Sequence, residues 1–386
     1  MTPPEYLTSK RIPLVDALRG LALMGLFMVH MVEYFELYWY NPEASIYNDI
    51  TFFLFGGKAY AVFAFLFGLS FFLIMDGQKK RGVDFRLRFA WRLTLLLIAG
   101  VLHGVIYGGD ILQILAITGF FLIPIYNTKN TVLIFLSVFF LLQIPAIIYS
   151  GFLVTPDVLK QPAHYALFGP VFQTYANGSF SELISITIWD AQIAKWMFML
   201  ESGRLSTIMG MSILGFLIGK IEFFRKADFY KKEIRIAFLL LLSFSVLLEL
   251  TRSDIGSLIH SNNNWINGAI QNSISDLVFT LTGMLGFVLL YQTKHGENIL
   301  QFLAPAGRMS LTIYVFQSLV FVPVFYGFGM GAYAFIGQTT SFYLGLLFWV
   351  IQLKLAKIWM TKYYFGPLEW IWRAATYGSF SIKFKR

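Results

Sequence analysis

An arginine and a histidine, Arg19 and His30, lie in the first apolar stretch of the chain. Eleven helical steps make about three turns, so both side chains lie on one stripe, roughly 16 Å apart along the axis. Ionisable groups are costly in a bilayer and usually face a bundle interior or a wet cavity. The pair therefore indicates either an anion site at Arg19 with His30 deeper as general base, or a snorkelling Arg19 and a hydrogen-bonded His30. The shared register favours the first interpretation.

A second group combines His103 and Asp110 with Gly104, Gly108 and Gly109. The glycines predict a tight turn between two helices, and a histidine beside an aspartate offers a base and an orienting acid. The alternative is a hairpin in which Asp110 only caps the next helix. One histidine and one aspartate are too few for a metal site, and the chain has no His-Glu-x-x-His spacing, so we expect no metal.

A third group begins at Arg308 and Ser310, where a later apolar stretch starts, and Gln317 follows two turns on along the same face. A helix N-terminus beside an arginine is a natural site for a phosphate or a carboxylate. Arg308 is equally explained by the excess of basic residues at cytoplasmic membrane surfaces. If Arg19, Arg308 and Arg373 converge, they could receive the phosphates of a ligand or of a lipid headgroup.

The tail carries Glu369 and Arg373 four residues apart, in a short amphipathic stretch with Trp370 and Trp372. Such a stretch predicts a helix that anchors at the membrane surface.

Composition places these groups in a membrane. Of 386 residues, 57% are apolar and 13% are charged, with a mean hydropathy of +0.65, whereas soluble domains are about 25% charged. Apolar runs long enough for a hydrocarbon core of about 30 Å recur throughout the chain. The net charge of +9 comes largely from short loops, so we expect lipid headgroups and no nucleic acid as partners. The absence of cysteine excludes thiolate chemistry.

The pattern predicts an all-α polytopic helix bundle that forms a single membrane domain over 1–386. Basic loops such as those with Lys79, Lys80, Lys231 and Lys232 indicate that both termini are cytoplasmic. We expect an N-terminal five-helix half (1–150), an outer or interfacial segment (151–204) and a C-terminal five-helix half with the amphipathic tail (205–386). The ten predicted transmembrane helices are 13–33, 51–75, 89–107, 110–126, 131–150, 205–222, 236–251, 271–292, 308–328 and 340–359.

The spacing from Arg19 to His30 resembles a hallmark of the membrane acyltransferases of acyltransferase family 3. More of the chain resembles the bacterial domain-of-unknown-function family 418, the YeiB-like membrane proteins, over nearly its full length. The stretches that carry this resemblance are 14–25, Phe65 to Ser70, Leu102 to Gly104, Gly109 to Leu112, Gly307 to Thr312, Gln317-Ser318 and Phe365 to Arg373. The resemblance implies a multi-pass protein of the bacterial inner membrane, a histidine base at His30 and an acyl-coenzyme A donor.

Three functions are compatible with these features. The first is an O- or N-acyltransferase that moves an acyl group, acetyl in the simplest case, from cytoplasmic acyl-coenzyme A as co-substrate to an envelope lipid, glycan or small molecule. The second is a transporter or lipid flippase, which the five-plus-five layout suits, and the third is a non-catalytic partner or sensor. The helix register and the resemblance favour the enzyme, and a homo-oligomer is left open. The predicted catalytic residues are His30, Arg19, His103 and Asp110, and the predicted binding residues are Arg19, Arg308, Ser310, Gln317 and Arg373.

Overall fold

The computed structural model describes residues 11–153, 161–251 and 265–386, so residues 154–160 of the predicted outer segment lie outside the described part of the chain. Each of the ten predicted helices has a helix at its place. In chain order the α-helices are α1 Pro13–Val32, α2 Ile46–Phe55, α3 Ala59–Lys79, α4 Arg86–Gly104, α5 Leu112–Leu122, α6 Asn130–Leu141, α7 Ile144–Ile148, α8 Ala163–Asn177, α9 Phe180–Ile188, α10 Asp190–Glu201, α11 Arg204–Lys220, α12 Lys231–Leu250, α13 Trp265–Tyr291, α14 Lys294–Leu300, α15 Ala304–Arg308, α16 Ser310–Phe325, α17 Gly337–Lys362 and α18 Pro367–Tyr377.

The described part of the chain is all-helical apart from one isolated bridge, as predicted. Within the described residues, five helical segments are long and apolar enough to cross a membrane, and three bent helix pairs raise the number to as many as eight. The protein is therefore a multi-pass helical membrane protein. The count of ten spans stays a prediction, because α5, for example, is a shorter apolar helix of 11 residues.

Several predicted helices are broken where hydropathy is continuous. The predicted helix at 51–75 is divided into α2 and α3 at a turn in which Gly57 has φ of +72°. The ammonium group of Lys58 donates to the carbonyl oxygen of Gly56 at 2.9 Å and to Asp276 at 2.7 Å. A helix end leaves carbonyl groups without partners, and here Lys58 satisfies one of them. Hydropathy does not detect this kind of break, because the interruption depends on a partner distant in the chain.

Glycines bring α3 and α11 into close contact. A Cβ atom at Gly68 would lie 1.8 Å from the carbonyl oxygen of Ser212, and one at Gly215 would lie 1.9 Å from that of Phe65. Ser212 also donates its hydroxyl to the carbonyl oxygen of Ala64 at 3.1 Å. This close approach of two backbones is typical of membrane helices with small residues at their interface.

The Gly68→Ala variant is expected to lose about 1–3 kcal/mol of stability or more, because the added methyl group meets backbone that cannot move alone. Gly77→Ala in the same helix is the matched control, since nothing lies within 4 Å of its Cβ position, and alanine is the better helix former. The measurement is thermal unfolding in detergent, followed by tryptophan fluorescence. Equal melting temperatures for the two variants would contradict the proposed close approach.

Helix α1 lies at the centre of the bundle, where it contacts α2, α3, α15 and α17. Its contact with α15 is also made through glycine: a Cβ atom at Gly307 would lie 1.9 Å from the carbonyl oxygen of Asp16, and one at Gly20 would lie 2.3 Å from that of Leu303. The close contact places Arg308 beside the turn of α1 that carries Arg19.

Candidate functional site

A cavity of about 410 Å³ lies between α1, α3, α4, α16 and α18, near the start of α1. Its walls are largely leucine and phenylalanine, but seven arginines also line it, against two acidic residues, Asp16 and Glu369. Three of the arginines are exposed and four are half-buried. The described lining residues therefore carry an excess of positive charge. The arginines are Arg11, Arg19, Arg81, Arg92, Arg225, Arg308 and Arg373.

Arg19 points into this cavity from α1. Its guanidinium donates to Asp16 Oδ1 and to Ser70 Oγ, both at 3.0 Å, and reaches the carbonyl oxygen of Gly307 at 3.5 Å. Its side chain is 19% exposed and that of Asp16 is 15% exposed. The protein thus fixes the guanidinium through three groups and leaves its remaining surface towards the cavity.

Arg19, Arg308 and Arg373 line one cavity, which is the condition stated above for a shared phosphate site. Ser310 lines the same cavity. The Nε atom of Arg308 is buried and makes no hydrogen bond. A buried donor without a partner is costly, so this edge of the cavity is suited to an incoming acceptor. Gln317 lies elsewhere: it is buried, and its amide donates to Gln352 at 2.8 Å.

The N-terminus of α16, predicted as a phosphate site, holds a carboxylate of the protein itself. Glu369 accepts hydrogen bonds from the backbone N–H groups of Leu311 at 2.7 Å and Thr312 at 3.1 Å, and from the Thr312 hydroxyl. Burial raises the pKa of Glu369, although these hydrogen bonds oppose the shift. Any phosphate in the cavity would therefore be bound by arginine side chains, since the helix N-terminus is already occupied.

Helix α18 covers the cavity. Trp372 donates its indole N–H to the carbonyl oxygen of Arg92 at 2.9 Å, and the Arg92 guanidinium lies 3.6 Å from the centroid of a Trp372 ring. These contacts hold α18, which the sequence predicted as a membrane-surface anchor, against α4, and Arg373 of α18 lines the cavity.

Charge repulsion is evident at the mouth of the cavity. The pKa of Arg11 is lowered, first by desolvation and then by repulsion from Arg373 and Arg19, while Asp16 acts in the opposite direction. An anion bound here would relieve the repulsion.

His103 forms the centre of a second cluster, with Asp110 and Ser318. Its Nδ1 lies 2.7 Å from Asp110 Oδ1, and its Nε2 lies 2.5 Å from Ser318 Oγ. Exposure is 5% for His103, 0% for Asp110 and 1% for Ser318. The second oxygen of Asp110 accepts from the backbone N–H of Gln113 at 3.1 Å. Asp110 therefore contacts the first turn of α5 and the histidine at the same time, and a catalytic role for the His103–Asp110 pair stays a prediction.

His30 and His103 both lie next to Tyr107. The Tyr107 hydroxyl is 2.9 Å from His30 Nδ1 and 3.4 Å from Glu36 Oε1. The Tyr107 ring centroid is 5.2 Å from that of His30 and 6.0 Å from that of His103. The two histidines, 73 residues apart in sequence, are thus neighbours of the same tyrosine ring.

The backbone just beyond His30 is strained. Tyr34, Phe35 and Glu36 follow the end of α1 with φ of 50°, 53° and 83°. Left-handed backbone is unfavourable for residues other than glycine and often occurs at functional sites. Here it turns Glu36 back towards Tyr107.

The inner wall of the cavity lies next to the His103 cluster. Ile111 and Tyr314 line the cavity. The Tyr314 ring centroid is 5.2 Å from that of His103, and its hydroxyl accepts from the backbone N–H of Ile111 at 3.2 Å. Ser318 follows Tyr314 by four residues on α16 and so continues the same helix face. One layer of side chains separates the arginine-lined cavity from the histidine.

Sequence reasoning did not single out several residues of this site. Arg92 lies in an apolar helix as Arg19 does, so the same rule could have identified it. Ser318 and Ser70 were noted only within family motifs, and nothing about a lone serine in an apolar helix indicates its partner. Tyr107 is one of 20 tyrosines, and only the fold places it between two histidines.

Fold and site together define a multi-pass helical membrane protein with a basic cavity beside a buried histidine cluster. Two family models match it: "Protein of unknown function (DUF418)" over residues 218–379, and "Heparan-alpha-glucosaminide N-acetyltransferase, catalytic" over residues 11–172. The first match confirms the resemblance to the DUF418 family of YeiB-like membrane proteins. The second match supports the relation to membrane acyltransferases and contains Arg19, His30, His103 and Asp110.

Relatives of similar length cover almost the whole chain. The chain is 26% identical to the uncharacterized protein YxaH of Bacillus subtilis (strain 168), over 96% of this chain and 95% of that protein. It is 26% identical to an uncharacterized 39.9 kDa protein in the amylase 3' region of Bacillus acidopullulyticus, over 98% and 97%. It is 23% identical to the uncharacterized protein YeiB of Escherichia coli (strain K12), over 94% and 95%.

Proposed function

We propose that this protein is an acyltransferase of the bacterial inner membrane that binds acyl-coenzyme A in the arginine-lined cavity. In the orientation predicted from loop charge, with both termini cytoplasmic, the cavity opens to the cytoplasm, where acyl-coenzyme A is made. The acyl group passes to a hydroxyl or amine of an envelope lipid, glycan or small molecule. The match to an N-acetyltransferase catalytic model supports the reaction class.

The observation that carries the proposal is the set of seven arginines around a single cavity. Coenzyme A carries a diphosphate and a 3'-phosphate, and guanidinium groups bind phosphate oxygens through charge-assisted, often bidentate hydrogen bonds. The leucines and phenylalanines of the same wall suit the uncharged pantetheine arm. The arm would then direct the thioester towards Tyr314 and His103.

The histidines divide the chemistry between them. His103, oriented by Asp110, faces the donor side and exchanges the protons of the acyl-transfer step. His30 is hydrogen-bonded to Tyr107, whose hydroxyl also contacts Glu36, and is placed to bind and orient the hydroxyl or amine of the acceptor.

Calorimetric titration of coenzyme A and acetyl-coenzyme A into detergent-purified protein tests the donor site. Wild type is expected to bind both ligands, more weakly as salt increases. Arg308→Ala is expected to bind at least about tenfold more weakly, because a hydrogen bond to a charged group contributes about 1.5–3 kcal/mol. Arg235→Ala is the matched control, since Arg235 is exposed on α12 and does not line the cavity.

If wild type gives no binding heat with either ligand even at high protein concentration, the proposal is contradicted. Equal affinities of wild type and Arg308→Ala would show that coenzyme A binds somewhere other than this cavity.

A further inference from the structure

We propose that Ser318 is the nucleophile that receives the acyl group, so that the reaction passes through an acyl-enzyme. This inference rests on the proposed acyl transfer and adds to it a covalent step at a residue of α16. The evidence is the geometric order Asp110, His103, Ser318, in which a carboxylate contacts Nδ1 of an imidazole whose Nε2 contacts a serine hydroxyl. Nucleophilic serines are activated in this arrangement on unrelated folds.

The hydrogen bonds assign the protons. Asp110 accepts from Nδ1, so Nε2 carries the lone pair and faces the Ser318 hydroxyl. The hydroxyl has a single proton, which it donates either to His103 Nε2 or to the carbonyl oxygen of Val315 at 3.0 Å, and the second partner would satisfy the serine without any histidine. The contact with His103 is therefore not needed to bury Ser318, and ionisable groups buried within a membrane protein usually mark a functional site.

The position of Ser318 is suited to a relay. Leu311 and Tyr314 line the cavity, and Ser318 lies seven and four residues beyond them, on the same face of α16. The Tyr314 side chain, which lies between the cavity and His103, would have to move for a thioester to reach Ser318. An acyl group held on Ser318 can be passed on after coenzyme A has left, so donor and acceptor never have to meet.

The two half-reactions balance. In the first, Ser318 Oγ bonds to the acyl carbon, its proton passes to His103 Nε2, the carbon–sulfur bond breaks, and the thiolate takes the proton from His103. In the second, the acceptor oxygen or nitrogen bonds to the acyl carbon, its proton passes to His103, the bond to Ser318 Oγ breaks, and the serine regains the proton. No oxidant, reductant or metal is required.

The test is a rapid-quench incubation of full-length protein with radiolabelled acetyl-coenzyme A, followed by intact-mass measurement and peptide mapping. Up to one acetyl group per chain is expected on Ser318, removable by alkaline hydroxylamine. Ser318→Ala and His103→Ala should carry no label, and Ser318→Ala should release coenzyme A about 10³-fold more slowly. Ser341→Ala, an equally buried serine that donates to the carbonyl oxygen of Met31, should be labelled as wild type is.

A fluorophosphonate probe, which labels activated serines without needing coenzyme A, separates this inference from the proposed function. If Ser318→Ala still releases coenzyme A at a rate near that of wild type, or the label lies on another residue, the nucleophile assignment is wrong and the acyltransferase proposal stands. If acetyl-coenzyme A does not bind but the probe labels Ser318, the donor is wrong and the activated serine stands. If neither occurs, both proposals fail.

Discussion

The His103→Ala variant is expected to release coenzyme A from acetyl-coenzyme A at least about 10³-fold more slowly than wild type. His103 is the group whose ring contacts both a buried carboxylate and a serine hydroxyl, so its loss removes the base and leaves Asp110 without its partner. Release is measured with a thiol reagent on protein in native-membrane nanodiscs, which retain membrane-borne acceptors. Since the chain has no cysteine, the protein itself contributes no thiol signal.

Two further variants identify the cause of the loss. Asp110→Asn keeps an oxygen that can accept from the backbone N–H of Gln113, so the start of α5 remains capped while the negative charge is lost. We expect this variant to melt near the wild-type temperature and yet to lose most activity. His295→Ala removes an exposed histidine and should keep the wild-type melting temperature and activity. A His103→Ala variant that melts normally and turns over near the wild-type rate would contradict the assignment.

The Arg19→Ala variant is expected to bind acetyl-coenzyme A about 10- to 100-fold more weakly, because it removes a charged donor and leaves Asp16 unpaired in the cavity. Both changes weaken the binding of an anionic ligand. Arg19→Lys should recover little of the affinity, since one ammonium group cannot reach Asp16, Ser70 and the carbonyl oxygen of Gly307 together with a ligand. Dissociation constants from calorimetry at two salt concentrations provide the measurement.

Asp16→Asn is the informative companion variant. It removes the negative charge and keeps Arg19, so its affinity for acetyl-coenzyme A should equal or exceed that of wild type. If Arg19→Ala binds as tightly as Arg235→Ala does, Arg19 has no part in donor binding.

The fold could be predicted well from the sequence, because hydrophobic segments in a bilayer must be helical to satisfy their own backbone. A helix lies at each of the ten predicted places, although several of the predicted helices are broken into two. Hydropathy did not predict where the helices break. For instance, the segment α14–α15 and helix α16 meet at an angle of 76° beside Met309. The break creates the N-terminus that Glu369 then caps from a helix 58 residues away from Leu311.

Individual site residues were predictable where an ionisable group stands out against apolar neighbours. Arg19, His30, His103 and Asp110 were all identified in this way, and the structure places His30 and His103 around Tyr107. Ser318 was not identified, because a serine in an apolar helix normally donates to its own backbone. Its contact with His103 spans 215 residues of sequence, and nothing in the local pattern of either helix indicates such a contact.

The sequence by itself determined that this is a helical membrane protein, which family it resembles and which charged groups must be kept from lipid, since these follow from transfer free energies of single residues and from short motifs. The tertiary structure decided which of those groups meet. It gathered seven arginines into one cavity, occupied the expected phosphate site with Glu369, and aligned Asp110, His103 and Ser318. Such convergence depends on glycine-mediated helix contacts and helix breaks, and those depend on partners distant in the chain.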